Sequence, residues 1–230
     1  ARHNGRMVGS WGDVAGFSFY TAHILVTGVG GMATTNDPDI AGKIRSLANH
    51  GLLLECLDPG VNFSPRPVPN RSFRFESVGH SARLTEMEAA LGVAQLDDLD
   101  YAIRGRQRNA RHLQAGLENI NRDYGDYFQL PTIAENNEHS FMMFCIVLKR
   151  GDRDSLIQHL AERGIETRDA LPLLIQPAFW YLNKDNYPVS MNLIRNAFYV
   201  GCHGGLEPED IRYVVTQFGK WVSPAYQGIE

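Results

Sequence analysis

The chain has only three cysteines in 230 residues, Cys56, Cys145 and Cys202, and they lie far apart. A disulfide framework or a zinc site needs closely spaced cysteines, so neither is expected and no metal centre is assigned. Positive charge is not in excess. A net charge of -4 provides no global basic field for nucleic acid or anionic lipid. No apolar run has the length of a membrane span, and the first residues, ARHNGRMVGSWG, resemble neither a signal nor a transit peptide. A reducing cytoplasm is the expected setting. Internal repeats, low-complexity tracts and an initiator Met are also missing, and the chain reads as if it started in the middle of something. What remains is an ordinary globular composition, 43% hydrophobic and 21% charged, long enough to bury a real core in one large or two small domains.

The most informative stretch is Gly12 to Asn36, GDVAGFSFYTAHILVTGVGGMATTN. A short apolar and aromatic run reads as a buried strand. It then places a hydroxyl (Ser18), a phenol (Tyr20) and an imidazole (His23) close together, and closes on Gly28, Gly30 and Gly31. Glycines around a short polar cluster let the backbone turn sharply and approach a ligand closely. The same pattern fits a buried turn between two strands with a satisfied histidine, so spacing alone leaves both readings open.

Asn36-Asp37-Pro38 predicts a helix start, with Ile40, Ile44, Leu47 and Ala48 at helical spacing and a stop near His50-Gly51. Residues 52–75, with four prolines and Arg66, Arg71 and Arg74, read as a long loop. Thr85-x-x-Glu88 is a capping box opening one long helix through Leu91, Leu96, Leu99 and beyond. Its arginines, Arg104, Arg106, Arg108 and Arg111, read as a solvated face, since no aromatics interleave them.

Phe141 to Leu148 predicts a buried strand. Asp152 to Arg163 predicts a helix with Leu156, Ile157, Leu160 and Ala161 inward, ended by Gly164. A short strand is expected at 165–168 and a helix over 188–200. Pro208 starts a last helix, with Ile211, Val214, Val215, Phe218 and Val222 on one face. The fold class expected is α/β, with this second half a smaller sandwich-like domain.

Val8-Gly-Ser-Trp-Gly-Asp-Val-Ala-Gly-Phe-Ser-Phe-Tyr, Thr27-Gly-Val-Gly-Gly-Met, Thr35-Asn-Asp and Arg45-Ser-Leu-Ala-Asn-His-Gly occur in order. So do Gly79-His-Ser-Ala-Arg-Leu-Thr-Glu-Met-Glu-Ala-Ala-Leu-Gly, Ala94-Gln-Leu, Gly164-Ile-Glu-Thr-Arg, Gln176-Pro-Ala-Phe and Cys202-His-Gly-Gly-Leu. Over essentially its whole length the chain closely resembles the DegT/StrS family, the nucleotide-sugar aminotransferases and related 3-dehydratases among the fold type I pyridoxal-phosphate (PLP) enzymes. The resemblance implies the C-terminal portion of such a subunit. Residues 1–84 would end the large cofactor-binding domain, 85–126 would form a long connecting helix region, and 127–230 the small C-terminal α/β domain. It also implies PLP or pyridoxamine phosphate (PMP) as cofactor, a sugar-nucleotide substrate and a homodimer with shared active sites. A fragment of this extent is expected to be inactive alone.

The family pattern places its cofactor-linking lysine five residues beyond the serine, and this chain has His23 there, with no lysine nearer than Lys43. Lysine forms the covalent link and shuttles the proton. Imidazole cannot form the link, but with an ordinary pKa of about 6.5 it can move the proton. A histidine at this place is similar to the 3-dehydratase branch, which holds its cofactor non-covalently. The resemblance therefore implies His23 as catalytic residue, Ser18, Tyr20 and Ser81 toward the cofactor, and Arg83, Arg168 and His203 toward substrate.

Departures from the family also stand out. Val29 replaces a frequent Glu, Gly79-His80-Ser81 replaces Gly-Tyr-Asn, Leu174 replaces a sugar-binding His, and one histidine stands where dehydratases often have a pair. One dehydratase branch carries a four-cysteine iron–sulfur cluster, which three scattered cysteines cannot supply. Two alternatives remain beside the dehydratase: an aminotransferase-type enzyme on another keto or amino substrate, and a non-catalytic homologue that binds cofactor or a partner.

Overall fold

A computed structural model describes residues 1–53, 73–170 and 172–223. Most of the expected 52–75 loop, with Arg66, Arg71 and Cys56, lies outside the described residues. The chain divides into two compact units, Ala1–Leu99 and Asp100–Glu230. No described helix is long and apolar enough to cross a membrane.

The first unit opens with a hairpin of β1 (Arg2–His3) and β2 (Arg6–Met7). A ribbon follows, in which β3 (Val14–Ser18) pairs antiparallel with β4 (Gly31–Thr35), Val14 opposite Thr35 and Ser18 opposite Gly31. The strand forms where the apolar run predicts it, but it is not buried. Val14 is 50% and Phe17 40% exposed, on opposite faces of the two-stranded ribbon. Helix α1 (Pro38–Ala48) starts as expected: Asp37 caps it by accepting from the amides of Asp39 and Ile40, at 2.8 and 3.1 Å. It stops at Asn49, and Gly51 takes the left-handed conformation at φ +82°.

The capping box is present, with Thr85 Oγ1 accepting from the Glu88 amide and Glu88 accepting from the Thr85 amide. The single long helix is not. Helix α2 (Glu86–Leu96) ends at Asp97-Asp98, and α3 (Leu99–Tyr124) begins as a separate helix. Two adjacent aspartates at a helix C-terminus face the negative end of its dipole, which favours a break there.

The second unit holds the hydrophobic core. Beyond α3 its elements are β5 (Phe128–Gln129), β6 (Asn137–Glu138), β7 (Phe144–Leu148), α4 (Arg153–Ala161), β8 (Thr167–Asp169), α5 (Pro188–Asn196), β9 (Ala197–Val200) and α6 (Pro208–Val222). Four of the strands form an antiparallel sheet in the order β5-β7-β9-β8. Phe144, Ile146 and Leu148 alternate along β7, and Phe198 and Val200 lie in register beside them, all at most 3% exposed. Against these pack Leu113 and Leu117 of α3, Leu156 and Leu160 of α4, and Ile211, Phe218 and Val222 of α6. Phe218 stands edge-on to Phe128 at 5.4 Å and stacks on Phe198 at 6.3 Å. Each such fully buried side chain contributes about 1.5–3 kcal/mol of transfer free energy.

Four expectations need correction here. Residues 188–200 are not one helix: α5 ends at Asn196 and the apolar run Ala197–Val200 is a central strand. The 141–148 strand begins only at Phe144, because Phe141 takes a left-handed φ of +48°. Ala161 is exposed rather than inward. Arg106 is buried, not solvated: it donates to the carbonyls of Phe141 and Met142, at 3.3 and 3.1 Å.

Candidate functional site

The end of β3 carries Ser18, and the link from β3 to β4 carries Tyr20 and His23. Its shape comes from backbone pairing: Phe19 N–H donates to Gly30 O at 3.0 Å, Thr27 N–H to Phe19 O at 2.9 Å, and His23 N–H to Tyr20 O at 2.9 Å. Glycine is required at its closing end. Gly30 sits at φ +136°, and a Cβ there would lie 2.3 Å from Leu84 Cδ1, while a Cβ on Gly31 would lie 2.7 Å from Phe17 O.

The link is tied to α2 by one side chain that sequence reasoning did not single out. Gln95 accepts from Val26 N–H at 3.0 Å and donates to Val26 O at 2.6 Å and Leu91 O at 2.8 Å. The only signal was its presence in the Ala94-Gln-Leu match, where a glutamine on a helix gives no hint of a partner 69 residues away.

Within this link the side chains differ in environment. Ser18 is exposed at the end of β3, and its Oγ accepts from Tyr20 N–H at 3.4 Å, leaving the hydroxyl proton to donate. Tyr20 is 55% exposed. His23 is half-buried, with its ring edge-on to the Tyr20 ring at 6.5 Å and 71°. Three of the expected residues are therefore brought together.

Ser81 and Arg83 form a second pair in the same unit. Arg83 Nη2 donates to Ser81 Oγ at 3.2 Å, and both line a recess of about 590 Å³ with Gly31, Met32, Arg45 and Asn49. The β4 strand thus borders that recess with residues directly following the Ser18–His23 link. Val29, standing where a Glu is frequent, is 60% exposed.

Arg168 and His203 belong to the second unit and are not gathered with each other. Arg168 lies on the edge strand β8, lining a groove of about 380 Å³ with Tyr199, Asp210 and Tyr213. Its Nε donates to Glu166 Oε1 at 2.9 Å, and that bond and charge push its pKa above the ordinary arginine value. His203 sits between β9 and α6, outside that groove's lining, with Nδ1 accepting from Gly205 N–H at 3.0 Å. Leu174 is 7% exposed, so it packs instead of facing solvent.

The DegT/DnrJ/EryC1/StrS aminotransferase family matches residues 1–219. The chain belongs to that family. Among curated relatives, GDP-perosamine synthase of Caulobacter vibrioides is 32% identical, over 94% of this chain and 54% of its own. The dTDP-4-dehydro-2,6-dideoxy-D-glucose 3-dehydratase of Saccharopolyspora spinosa is 28% identical, over 96% of this chain and 51% of its own.

Among solved structures, S. venezuelae DesV in complex with a ketimine intermediate matches with a TM-score of 0.80 at 27% identity, covering 96% of this chain and 55% of that one. E. coli GDP-4-keto-6-deoxy-D-mannose-3-dehydratase with bound hydrated PLP matches with a TM-score of 0.79 at 25% identity, covering 94% and 57%. The chain thus spans about half the length of the relatives it matches. Its fold is that of the corresponding part of these PLP-dependent sugar aminotransferases and dehydratases, and the α/β expectation holds. The family contains both reaction types, and its members use PLP or PMP.

Proposed function

We propose that the protein containing this chain is a PLP/PMP-dependent enzyme acting on a sugar nucleotide, as a homodimer, by a 3-dehydratase-type reaction on a 4-keto sugar. The observation that carries this reading is that His23, five residues beyond Ser18 where the resemblance leads one to expect the linking lysine, lies beside Tyr20 in one glycine-closed link. The side-chain donors of that link are hydroxyls, a phenol and an imidazole, with no amine. Such a set fits a cofactor held by hydrogen bonds. Relatives that are themselves 3-dehydratases support the same reading.

Bound PMP would supply an amine for the sugar's C4 carbonyl and a sink for electrons. Ser18 would donate its hydroxyl proton to a phosphate oxygen, a charge-assisted bond worth about 1.5–3 kcal/mol. Tyr20, its ring edge-on to that of His23, would face the cofactor beside Ser18. His23 would carry a proton to the departing C3 oxygen, which leaves as water. Ser81 would donate toward the cofactor phosphate, and Arg83, Arg168 and His203 would contact substrate oxygens, each within its own unit.

Borohydride reduction of the intact, cofactor-loaded protein tests the assignment. Without amine substrate, all cofactor should remain extractable after denaturation, and a covalent adduct would refute the His23 reading in favour of an aminotransferase. His23→Asn should keep cofactor absorbance but lower turnover by about 10²–10⁴-fold. Unchanged turnover would remove the proton-carrying role. Loss-free partner binding with no cofactor absorbance at all would point to a binding protein.

A further inference from the structure

The loop after β9, Cys202-His203-Gly204-Gly205-Leu206, is held against α3 more tightly than an exposed turn requires. Asn109, 0% exposed, donates through Nδ2 to His203 O at 2.7 Å and to Leu206 O at 3.1 Å. Its Oδ1 accepts from Arg108 Nε at 3.1 Å, and Arg108 Nη2 also donates to Leu206 O, at 3.0 Å. The approach of loop and helix is backbone to backbone: a Cβ on Gly105 would lie 2.8 Å from Gly204 Cα, and one on Gly204 would lie 3.0 Å from Ala102 O. The buried amide is fully used, and all of its donors serve the loop.

The product of this fixation is one exposed imidazole with a defined proton position. Gly205 N–H can only donate, so His203 Nδ1, 3.0 Å away, must accept. In the neutral ring the hydrogen then lies on Nε2, on the far side of the ring from the loop. A histidine that only closed the turn would need nothing beyond the Gly205 bond. The two additional clamps, from Asn109 and Arg108, are what a preorganised donor needs, because they remove the entropy of ordering it on binding.

We infer that Asn109 is a positioning residue that presents His203 Nε2–H as a fixed hydrogen-bond donor to an oxygen of the sugar nucleotide. The substrate class rests on the function proposed above. The positioning does not, and it can be measured without any ligand.

Two variants and two readouts test it. His203→Asn retains a side-chain oxygen able to accept from the Gly205 amide but has no outward Nε2–H. Asn109→Asp keeps the shape and removes the Nδ2 donors. In the ligand-free intact protein, ¹⁵N-labelled histidine should show His203 as a single Nε2–H tautomer, and Asn109→Asp should convert it to a tautomer mixture. A mixture in the unaltered protein, or an unchanged single tautomer in Asn109→Asp, would overturn the positioning. With GDP-4-keto-6-deoxy-D-mannose as probe, His203→Asn should raise KM or Kd about fivefold with kcat little changed, the effect of one hydrogen bond. An unchanged KM would show that His203 only closes the turn. If the unaltered protein binds no sugar nucleotide while the tautomer result stands, the substrate reading fails and the positioning survives.

Discussion

Substituting Gly105 by alanine sets two effects of known sign against each other. Gly105 lies inside α3, where alanine is intrinsically better by about 1 kcal/mol. Helix propensity alone therefore predicts stabilisation. The structure predicts the reverse. The new Cβ would lie 2.8 Å from Gly204 Cα, 3.0 Å from Gly204 O and 3.3 Å from Gly204 C, against an ordinary carbon contact of about 3.5–4.0 Å. All three are backbone atoms, so no rotamer can relieve them.

Relief requires the 203–206 loop to retreat by several tenths of an ångström, lengthening the Asn109 bonds to His203 O and Leu206 O. Overpacking costs about 1–3 kcal/mol, and a weakened buried hydrogen bond about 1 kcal/mol more. The net expectation is a loss of about 1–3 kcal/mol. The assay is native-state hydrogen exchange, which resolves the loop from the rest of the unit. Protection should fall most at the Leu206 amide, which donates to His203 O at 3.0 Å. A Gly105→Ala protein with equal or greater protection there, and an unchanged or raised thermal midpoint, would refute the close-packing argument.

Three further outcomes follow from individual environments. His159 is 2% exposed, and burial, with Arg163 adding to it, lowers its pKa. The unfolded chain therefore takes up a proton near pH 6.5 that the native state resists, so stability should be intact above that pH and fall below it; His159→Gln should flatten this slope in pH-dependent urea melts. Burial pushes the Cys202 thiol up to about 11 from an ordinary value of 9.0, so the native state stays protonated while the unfolded thiol ionises. Stability from this group should be full below pH 9 and decline toward 11, and Cys202 should resist iodoacetamide at pH 8 until the protein unfolds; rapid native alkylation at that residue would contradict its burial. Thr85→Ala removes the α2 cap and should cost about 1 kcal/mol, read as increased exchange in the first turn, while Thr85→Ser should restore it.

Local chemistry was legible in the residues alone. Asp37-Pro38, Thr85-x-x-Glu88, the Asp152 cap and Pro208 each start a helix where short-range hydrogen bonding and proline geometry dictate it. The order Ser18, Tyr20, His23 and the closing glycines is likewise local, and so is the family membership that rests on such motifs. Readings failed where distant partners decide the outcome. Ala197–Val200 is helix-compatible in isolation but becomes a strand because β7 and β8 flank it. Arg106 looks solvated among polar neighbours, yet carbonyls 35 and 36 residues away draw it inside.

The candidate site divides in the same way. Sequence alone determined that an imidazole, and no lysine, stands five residues beyond Ser18, since that is a matter of order along the chain. Only the tertiary structure decided that Gln95 anchors the His23 link and that Asn109 holds the His203 loop. Both are uncharged amides whose role depends on which backbone groups folding brings within about 3 Å. A one-dimensional pattern carries no record of such partners.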